Sequence, residues 1–357
     1  MIKDLCFEII EACPNQCRFC SSNSCISKNK IIDISTFQRV IDYFMENGGI
    51  EKLSLSGGEP LLHPNLLEMV NYAKSHGIKV VIFTSGVIKA QKPTPDALAI
   101  LTKEMNSKIN EVIAKEPWNT NLVAKIKNHY QNYINPIGYT NIPKKKLMLL
   151  KSLKLDKIVF DYQAHEANTD NYLMGRSEQA RQAALNSLIL AATCNLNIDI
   201  HFVPMKQNYQ EIIDILEMLT IADVKSISIL NFIPQGRGKN NAKQLQLSEE
   251  ELNHFFAILN EAKKHYPGNI RIGIPLQDNP THKCNAGLGK LNIKFDGTVL
   301  PCPAFKKLSP EECQKYNIEL FNIYDDLEKI KIKGIGTRTE PLCQKVYSKV
   351  RKQLNDS

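Results

Sequence analysis

The 357-residue sequence has no apolar run near the roughly 20 residues that a membrane-crossing helix needs. Its first residues, Met1-Ile2-Lys3-Asp4-Leu5-Cys6-Phe7-Glu8, lack the basic-then-apolar order of a secretory signal. A cytoplasmic location is expected, with no membrane partner. Aromatic residues are sparse and tryptophan occurs once, as Trp118. Residues 89–157 contain no arginine, although they hold 13 Lys against 5 Asp or Glu. A dedicated RNA surface draws on arginine and aromatic side chains, so a nucleic-acid partner is not expected. There is no internal repeat beyond a βα rhythm and no low-complexity segment.

What is present describes a folded chain. Hydrophobic residues make up 43% and charged residues 23%, enough to bury one large core or two modest ones. The formal charge of +8 is matched by the lysine excess of residues 89–157, so the rest is balanced. That basic stretch, with Lys144-Lys145-Lys146, could draw in an acidic partner, although a solvated helix face is the simpler explanation. Ten cysteines stand at 6, 13, 17, 20, 25, 194, 284, 302, 313 and 343. In a reducing compartment they read as ligands or buried thiols rather than disulfides.

Strands are expected over 5–10, 52–56, 78–84, 158–162, 197–204 and 226–232. Between them run helices from Ser35, over 65–76, 144–153, 177–194 and 209–220, with a further helix over 248–266. The alternation predicts a parallel sheet, and six such units suit an open, partial (β/α)6 barrel. The rhythm breaks over about 87–143, a lysine-rich, mostly helical insertion. Past a boundary near 267 the texture changes: residues 291–300 read as a hairpin turning at Asp296-Gly297. The expected division is a core of 1–266 and a small C-terminal domain of 267–357.

Cys13-Pro-Asn-Gln-Cys17-Arg-Phe-Cys20 follows the first strand directly, at the end where barrel folds carry their chemistry. Three thiolates within eight residues can wrap one compact inorganic centre. Zinc is the plainer alternative, but structural zinc sites close four ligands in paired elements, and Cys25 falls outside the spacing. Cys6, Cys25 and Cys194 read as small buried hydrophobes. His165, His201 and His282 read as core or hydrogen-bonding histidines.

The three-cysteine loop, with Phe19 before its last cysteine, resembles that of the radical S-adenosylmethionine (SAM) superfamily. Two further landmarks fit: Leu53-Ser54-Leu55-Ser56 runs into Gly57-Gly58-Glu59-Pro60, and Thr84-Ser85-Gly86 ends the next strand. The resemblance implies that Cys13, Cys17 and Cys20 hold a [4Fe–4S] cluster whose fourth iron chelates SAM. Reductive cleavage of SAM would then give a 5′-deoxyadenosyl radical that takes a hydrogen atom from the substrate. Gly57 and Gly58 would let the backbone approach the methionine end of the cofactor, Glu59 beside Pro60 would pair with its ammonium, and Phe19, Ser85 and Asp161 would line the rest of its pocket. Many relatives carry a serine near position 160 and an arginine about a turn later. Here the strand ends Val159-Phe160-Asp161 and the nearest arginine is Arg176.

Cys284 and Cys302 flank the hairpin with 17 residues between them, and Gly297 precedes Cys302 by five positions. This resembles the Twitch or SPASM extension of radical SAM enzymes, which implies an auxiliary [4Fe–4S] cluster held by Cys284, Cys302, Cys343 and Cys313. Val346 stands where the extension's last cysteine belongs. A three-cysteine cluster, zinc on the same thiolates or a degenerate extension remain as alternatives. Pro234-Gln235-Gly236-Arg237-Gly238 also resembles a step of these relatives, and Arg237 is expected to bind a carboxylate of cofactor or substrate. The resemblance further implies an electron donor such as flavodoxin or ferredoxin. Two enzyme readings follow, modification of a peptide or oxidation or rearrangement of a small molecule in antibiotic or cofactor biosynthesis. The third reading is an iron–sulfur or zinc binding protein without catalysis.

Overall fold

A computed structural model describes residues 2–89, 95–134, 138–272, 285–315, 318–325 and 327–330. The strands are β1 (Asp4–Ile10), β2 (Lys52–Gly57), β3 (Lys79–Thr84), β4 (Val87–Lys89), β5 (Tyr139–Asn141), β6 (Lys157–Asp161), β7 (Ile198–Phe202), β8 (Ser226–Ile229), β9 (Asn269–Ile272), β10 (Lys290–Ile293), β11 (Thr298–Leu300) and β12 (Phe321–Asn322). The principal helices are α1 (Ile34–Glu46), α2 (Leu66–Ser75), α3 (Pro95–Lys115), α4 (Thr120–Ile134), α5 (Lys144–Ser152), α6 (Ala167–Met174), α7 (Glu178–Thr193), α8 (Ile212–Ile221), α9 (Arg237–Asn240), α10 (Ala242–Leu245), α11 (Glu249–Ala262) and α12 (Pro310–Lys315). The chain forms two compact units, one of Met1–Val87 with Asn141–Ser357 and one of Ile88–Thr140. In the second, α3 and α4 bury Ile109 and Tyr130 and leave Trp118 exposed.

The larger unit is built on one sheet in the order β12-β11-β10-β1-β2-β3-β6-β7-β8-β9. All neighbours from β10 to β9 run parallel, and β11 and β12 are antiparallel additions. The six expected strands are β1, β2, β3, β6, β7 and β8, consecutive in the sheet, and the βα connections make this a partial barrel. Two parallel neighbours are not evident in the sequence: β9 beside β8, and β10, which pairs Cys6 with Asn292 and Phe7 with Ile293. β10, β11 and β12, expected in a separate domain from 267 onward, thereby extend the core sheet from its β1 side.

Side chains alternate across each strand. Leu5, Phe7, Leu53, Leu55, Ile82, Ile158, Ile200 and Ile227 are fully buried on the face toward the helices, where the Phe7 and Phe37 rings stack 5.6 Å apart. The opposite face carries polar groups in register: Glu8 beside Ser56, Asp161 beside His201, and His201 beside Ser228. Helix starts follow from capping chemistry. The cap of α1 is Asp33, which accepts from Thr36 N at 2.8 Å and also from the Ser35 hydroxyl at 2.5 Å. The helix expected to run from Ser35 is thus capped two residues upstream, by the stronger acceptor. Ser177 caps α7, and Ser248 with Glu251 forms a reciprocal capping box on α11. No described helix is long and apolar enough to cross a membrane.

Candidate active site

A cavity of about 340 Å³ opens at the C-terminal ends of the parallel strands. Cys13, Cys17 and Cys20 all line it. Gly57 and Gly58 from the end of β2, Thr84 and Ser85 after β3, Asp161 from β6, His201 from β7, Phe19 and Lys306 complete much of the wall. Among the described residues, Asp161 is its only carboxylic acid and Lys306 its only Lys or Arg.

The cysteine loop has no regular structure of its own, and three other elements hold its backbone. The first is the end of β2. Gly58 N donates to Ile10 O at 2.6 Å and Glu59 N to Ala12 O at 2.8 Å. A Cβ on Gly57, whose φ is +135°, would stand 2.3 Å from Ile10 O, and one on Gly58 would stand 2.1 Å from Ala12 O. Both glycines were expected to make room for a cofactor. They line the cavity, but the approach that forbids a side chain is that of β2 to the backbone just before Cys13.

The second brace is α6, which the βα rhythm of the sequence does not reveal. Arg18 N donates to Leu173 O at 2.8 Å, and the Arg18 guanidinium lies over the Tyr172 ring at 4.1 Å. Gly175, left-handed at φ +58°, ends α6 where a Cβ would meet Gln16 O at 2.4 Å. The third is α9. Arg237 N donates to Cys20 O at 3.0 Å, its Nε to Cys17 O at 2.8 Å, and Asn241 Nδ2 to Arg18 O at 3.1 Å. Arg237 does not line the cavity; the guanidinium expected to take a carboxylate is engaged by the loop itself.

Glu59 departs from expectation in the same way. It is fully buried and does not line the cavity. Its carboxylate accepts from Thr84 Oγ1 at 2.8 Å, Ser85 N at 2.8 Å, Ser85 Oγ at 2.7 Å and Leu61 N at 3.2 Å. These four bonds tie the β2 end to the β3 end around the carboxylate expected to pair with an ammonium group. Burial nonetheless pushes its carboxyl up. Pro60 is buried in the short helix that follows and is likewise absent from the cavity wall.

Asp161 accepts from Gln163 Nε2, and burial pushes its carboxyl up to about 6, against the pull of that bond and of Arg176. His201, expected as a core histidine, faces the same cavity with its ring 5.0 Å from Phe83. Burial drives it down to about 4, so it is neutral at pH 7. Arg176 forms a fully buried, two-pronged pair with Asp170, 2.7 Å on each arm. Lys146 donates to Leu61 O at 2.7 Å and so belongs to local structure rather than to a free basic face. His165 does not line the cavity; its backbone carbonyl accepts from Arg181.

Burial pushes the Cys13 and Cys17 thiols up, with Arg176 opposing at Cys17. Among the described residues no three His, Cys, Asp or Glu side chains converge on one metal-ion position. A cubane asks for something else, one thiolate on each of three irons around a shared space, and the three cysteines bordering one cavity suit that donor set. Cys6 lies on the inner strand face with its thiol pushed up to about 12 by burial. Cys25 is partly exposed and bonded to Ser27 Oγ at 3.1 Å. Of the C-terminal cysteines, Cys284 and Cys343 lie outside the described residues, as does His282. Cys313 is buried with Phe305 and Ile318, and Cys302 packs on the same cluster.

The Radical SAM superfamily profile matches residues 7–110, the stretch holding the cysteine loop and both strand ends beside it. Residues 7–110 are a radical SAM domain. Over 350 residues the chain is 22% identical to a PqqA peptide cyclase of Bradyrhizobium diazoefficiens, covering 94% of this chain and 76% of that one. Over 78 residues it is 28% identical to an S-adenosylmethionine-dependent nucleotide dehydratase of Selenomonas ruminantium, covering 22% of this chain and 28% of the other. Streptococcus suis SuiB bound to S-adenosylmethionine shares the fold, with a TM-score of 0.60, 15% identity, and coverage of 98% of this chain and 68% of that one. The native anSMEcpe structure with bound AdoMet gives 0.58 and 13%, covering 93% and 81%. Radical SAM domains work with a [4Fe–4S] cluster and SAM, and the thiol-bordered cavity against its two-glycine wall fits that pair.

Proposed function

We propose that this chain is a radical SAM enzyme that modifies a peptide, with Cys13, Cys17 and Cys20 as the ligands of its SAM-binding cluster. The observation that carries the reading is the meeting of the three thiols, the Gly57-Gly58 strand end and the Thr84-Ser85 strand end on one cavity. A peptide is favoured over a small molecule because the similarity to PqqA peptide cyclase runs over 94% of the chain, whereas that to the nucleotide dehydratase covers 22%. SuiB, whose fold the chain shares, is also known bound to its precursor peptide SuiA.

When bound, the cluster and SAM supply reductive cleavage of the sulfonium and abstraction of a hydrogen atom. The chain supplies the rest. Cys13 and Cys17 must lose protons that burial holds tightly before they can bind iron. Phe19 and Val159 supply apolar surface to the cavity wall. Asp161 and His201, in register on β6 and β7, offer a carboxylate and a neutral imidazole for orienting ribose or substrate hydroxyl groups. Lys306, from the segment after Cys302, pairs with the buried Glu8 and donates to Ser22 Oγ at 3.2 Å, bringing one cation to the wall. Residues 267–357 would form the auxiliary part, with Cys284, Cys302, Cys313 and Cys343 holding a second cluster. The electrons would come from a flavodoxin or ferredoxin, in the cytoplasm, where thiols stay reduced.

The test is chemical. Anaerobically reconstituted protein, given dithionite and SAM, is expected to release 5′-deoxyadenosine, and Cys17→Ala to release none. An iron- and sulfide-loaded parent that yields no 5′-deoxyadenosine would reject the reading.

A further inference from the structure

Each thiol of the loop has a cation in its surroundings. Lys306 stands on the cavity wall, Arg176 follows α6 with its charge opposing the rise of the Cys17 thiol, and Arg237 lies against the carbonyls of Cys17 and Cys20. Two of the three are neutralised at source. Arg176 is gripped by Asp170 and Lys306 by Glu8. Arg237 is different: no carboxylate among the described residues lies within ion-pair distance of it, and its Nε–H is spent on the carbonyl of Cys17.

The local sequence is built around that placement. Gly236 has φ +53°, and a Cβ there would meet Cys20 O and Asn23 Oδ1 at 2.6 Å. A Cβ on Gly238 would stand 3.1 Å from Phe19 O. Glycine on both sides therefore lets the Arg237 backbone lie directly on the loop while its N–H reaches Cys20 O. An arginine that merely coated the surface would need neither glycine.

We propose that Arg237 is a positioning residue that sets the reduction potential of the cluster held by the Cys13–Cys17–Cys20 loop: it has no counter-carboxylate among the described residues and donates to the carbonyls of Cys17 and Cys20, whereas Arg18, also without one, turns its guanidinium away to the carbonyl and ring of Tyr172. The inference rests on the proposed radical SAM function. Reduction adds one electron, from an external one-electron donor, and hence one negative charge to the centre. A fixed positive charge, partly shielded from water, favours the more negative state. Arg237 donates to peptide carbonyls of the loop, which also fixes the distance between that charge and the thiolates.

The experiment uses full-length reconstituted protein without SAM, titrated potentiometrically with the reduced-cluster EPR signal as readout and iron content measured in parallel. Arg237→Gln is expected to lower the midpoint by about a tenfold change in the one-electron equilibrium, ~59 mV, at unchanged iron. Arg237→Lys keeps the charge and is expected to stay within about twofold of the parent on the same scale. A parent-like midpoint for Arg237→Gln, or equal shifts for both variants, would overturn the proposal. Loss of iron from both variants would also overturn it, since Arg237 would then be only a brace for the loop. A parent that binds no iron would remove the radical SAM function instead, so the two failures are distinguishable.

Discussion

The cysteines of the N-terminal loop and the two described C-terminal cysteines live in opposite surroundings. Cys13, Cys17 and Cys20 border a cavity shared with an acid, an imidazole and an ammonium group, and β2, α6 and α9 each hydrogen-bond the backbone between and around them. Cys313 is buried with Phe305 and Ile318, and Cys302 packs against them. A thiol in an apolar cluster is indistinguishable from any small hydrophobe, whereas a cysteine loop whose main chain is held by three neighbouring elements, with Arg237 on the carbonyls of Cys17 and Cys20, is being presented to something. The contrast shows that a ligand loop is recognised by what grips its main chain as much as by its spacing.

The contrast breaks most severely at Gly58. Gly58→Ala would drive a methyl group into Ala12 O, and the β2 end would have to leave the loop. A loss of more than about 3 kcal/mol in stability and of most of the loop's iron is expected by denaturant unfolding and iron analysis. Retention of both would show that the loop does not depend on that approach. The second group is sharpened by Cys302→Ala. With two cubanes the parent should carry about eight irons and the variant about four, whereas a count near four unchanged by the substitution would leave Cys302 as core.

The smallest effect concerns Asp161. Its folded carboxyl titrates near 6, above the ordinary carboxylate range, so the folded chain binds this proton more tightly than the unfolded one. Stability from this group is present below the ordinary value and lost as pH rises through about 6. Asp161→Asn removes that loss and should stabilise the cofactor-free protein by about 1–3 kcal/mol at pH 8, the gain shrinking between about pH 6 and 4. Urea midpoints at pH 8 and pH 5 check it, and a gain of the same size at both would rule out the buried carboxylate charge as its cause.

Much of the architecture was legible because it is local. Alternation such as Leu5, Phe7 and Ile9 marks strands, Ser177 and Ser248 mark helix starts, and the cysteine spacing marks the loop. What escaped was non-local. Nothing in Lys290–Ile293 announces that it pairs with β1 rather than standing in a domain of its own. Glu59 and Arg237 stand out through the family resemblance, which cannot show their partners within the chain: Ser85 and Thr84 donate to Glu59, and Arg237 donates to the Cys17 carbonyl. Gly175 after Leu173-Met174 was the available signal for α6, since glycine in that position closes helices.

If the Cys13, Cys17 and Cys20 loop carries a cubane open to SAM, low-temperature EPR of the dithionite-reduced, reconstituted protein shows it directly. Spectra are recorded with and without SAM on a Cys302→Ala background, chosen so that no cluster on Cys302 contributes. The expected result is a [4Fe–4S]⁺ signal whose g-values change when SAM is added and which is absent from the Cys17→Ala/Cys302→Ala double variant. A cubane signal indifferent to SAM, or one that survives loss of Cys17, would contradict a SAM-binding cluster on this loop.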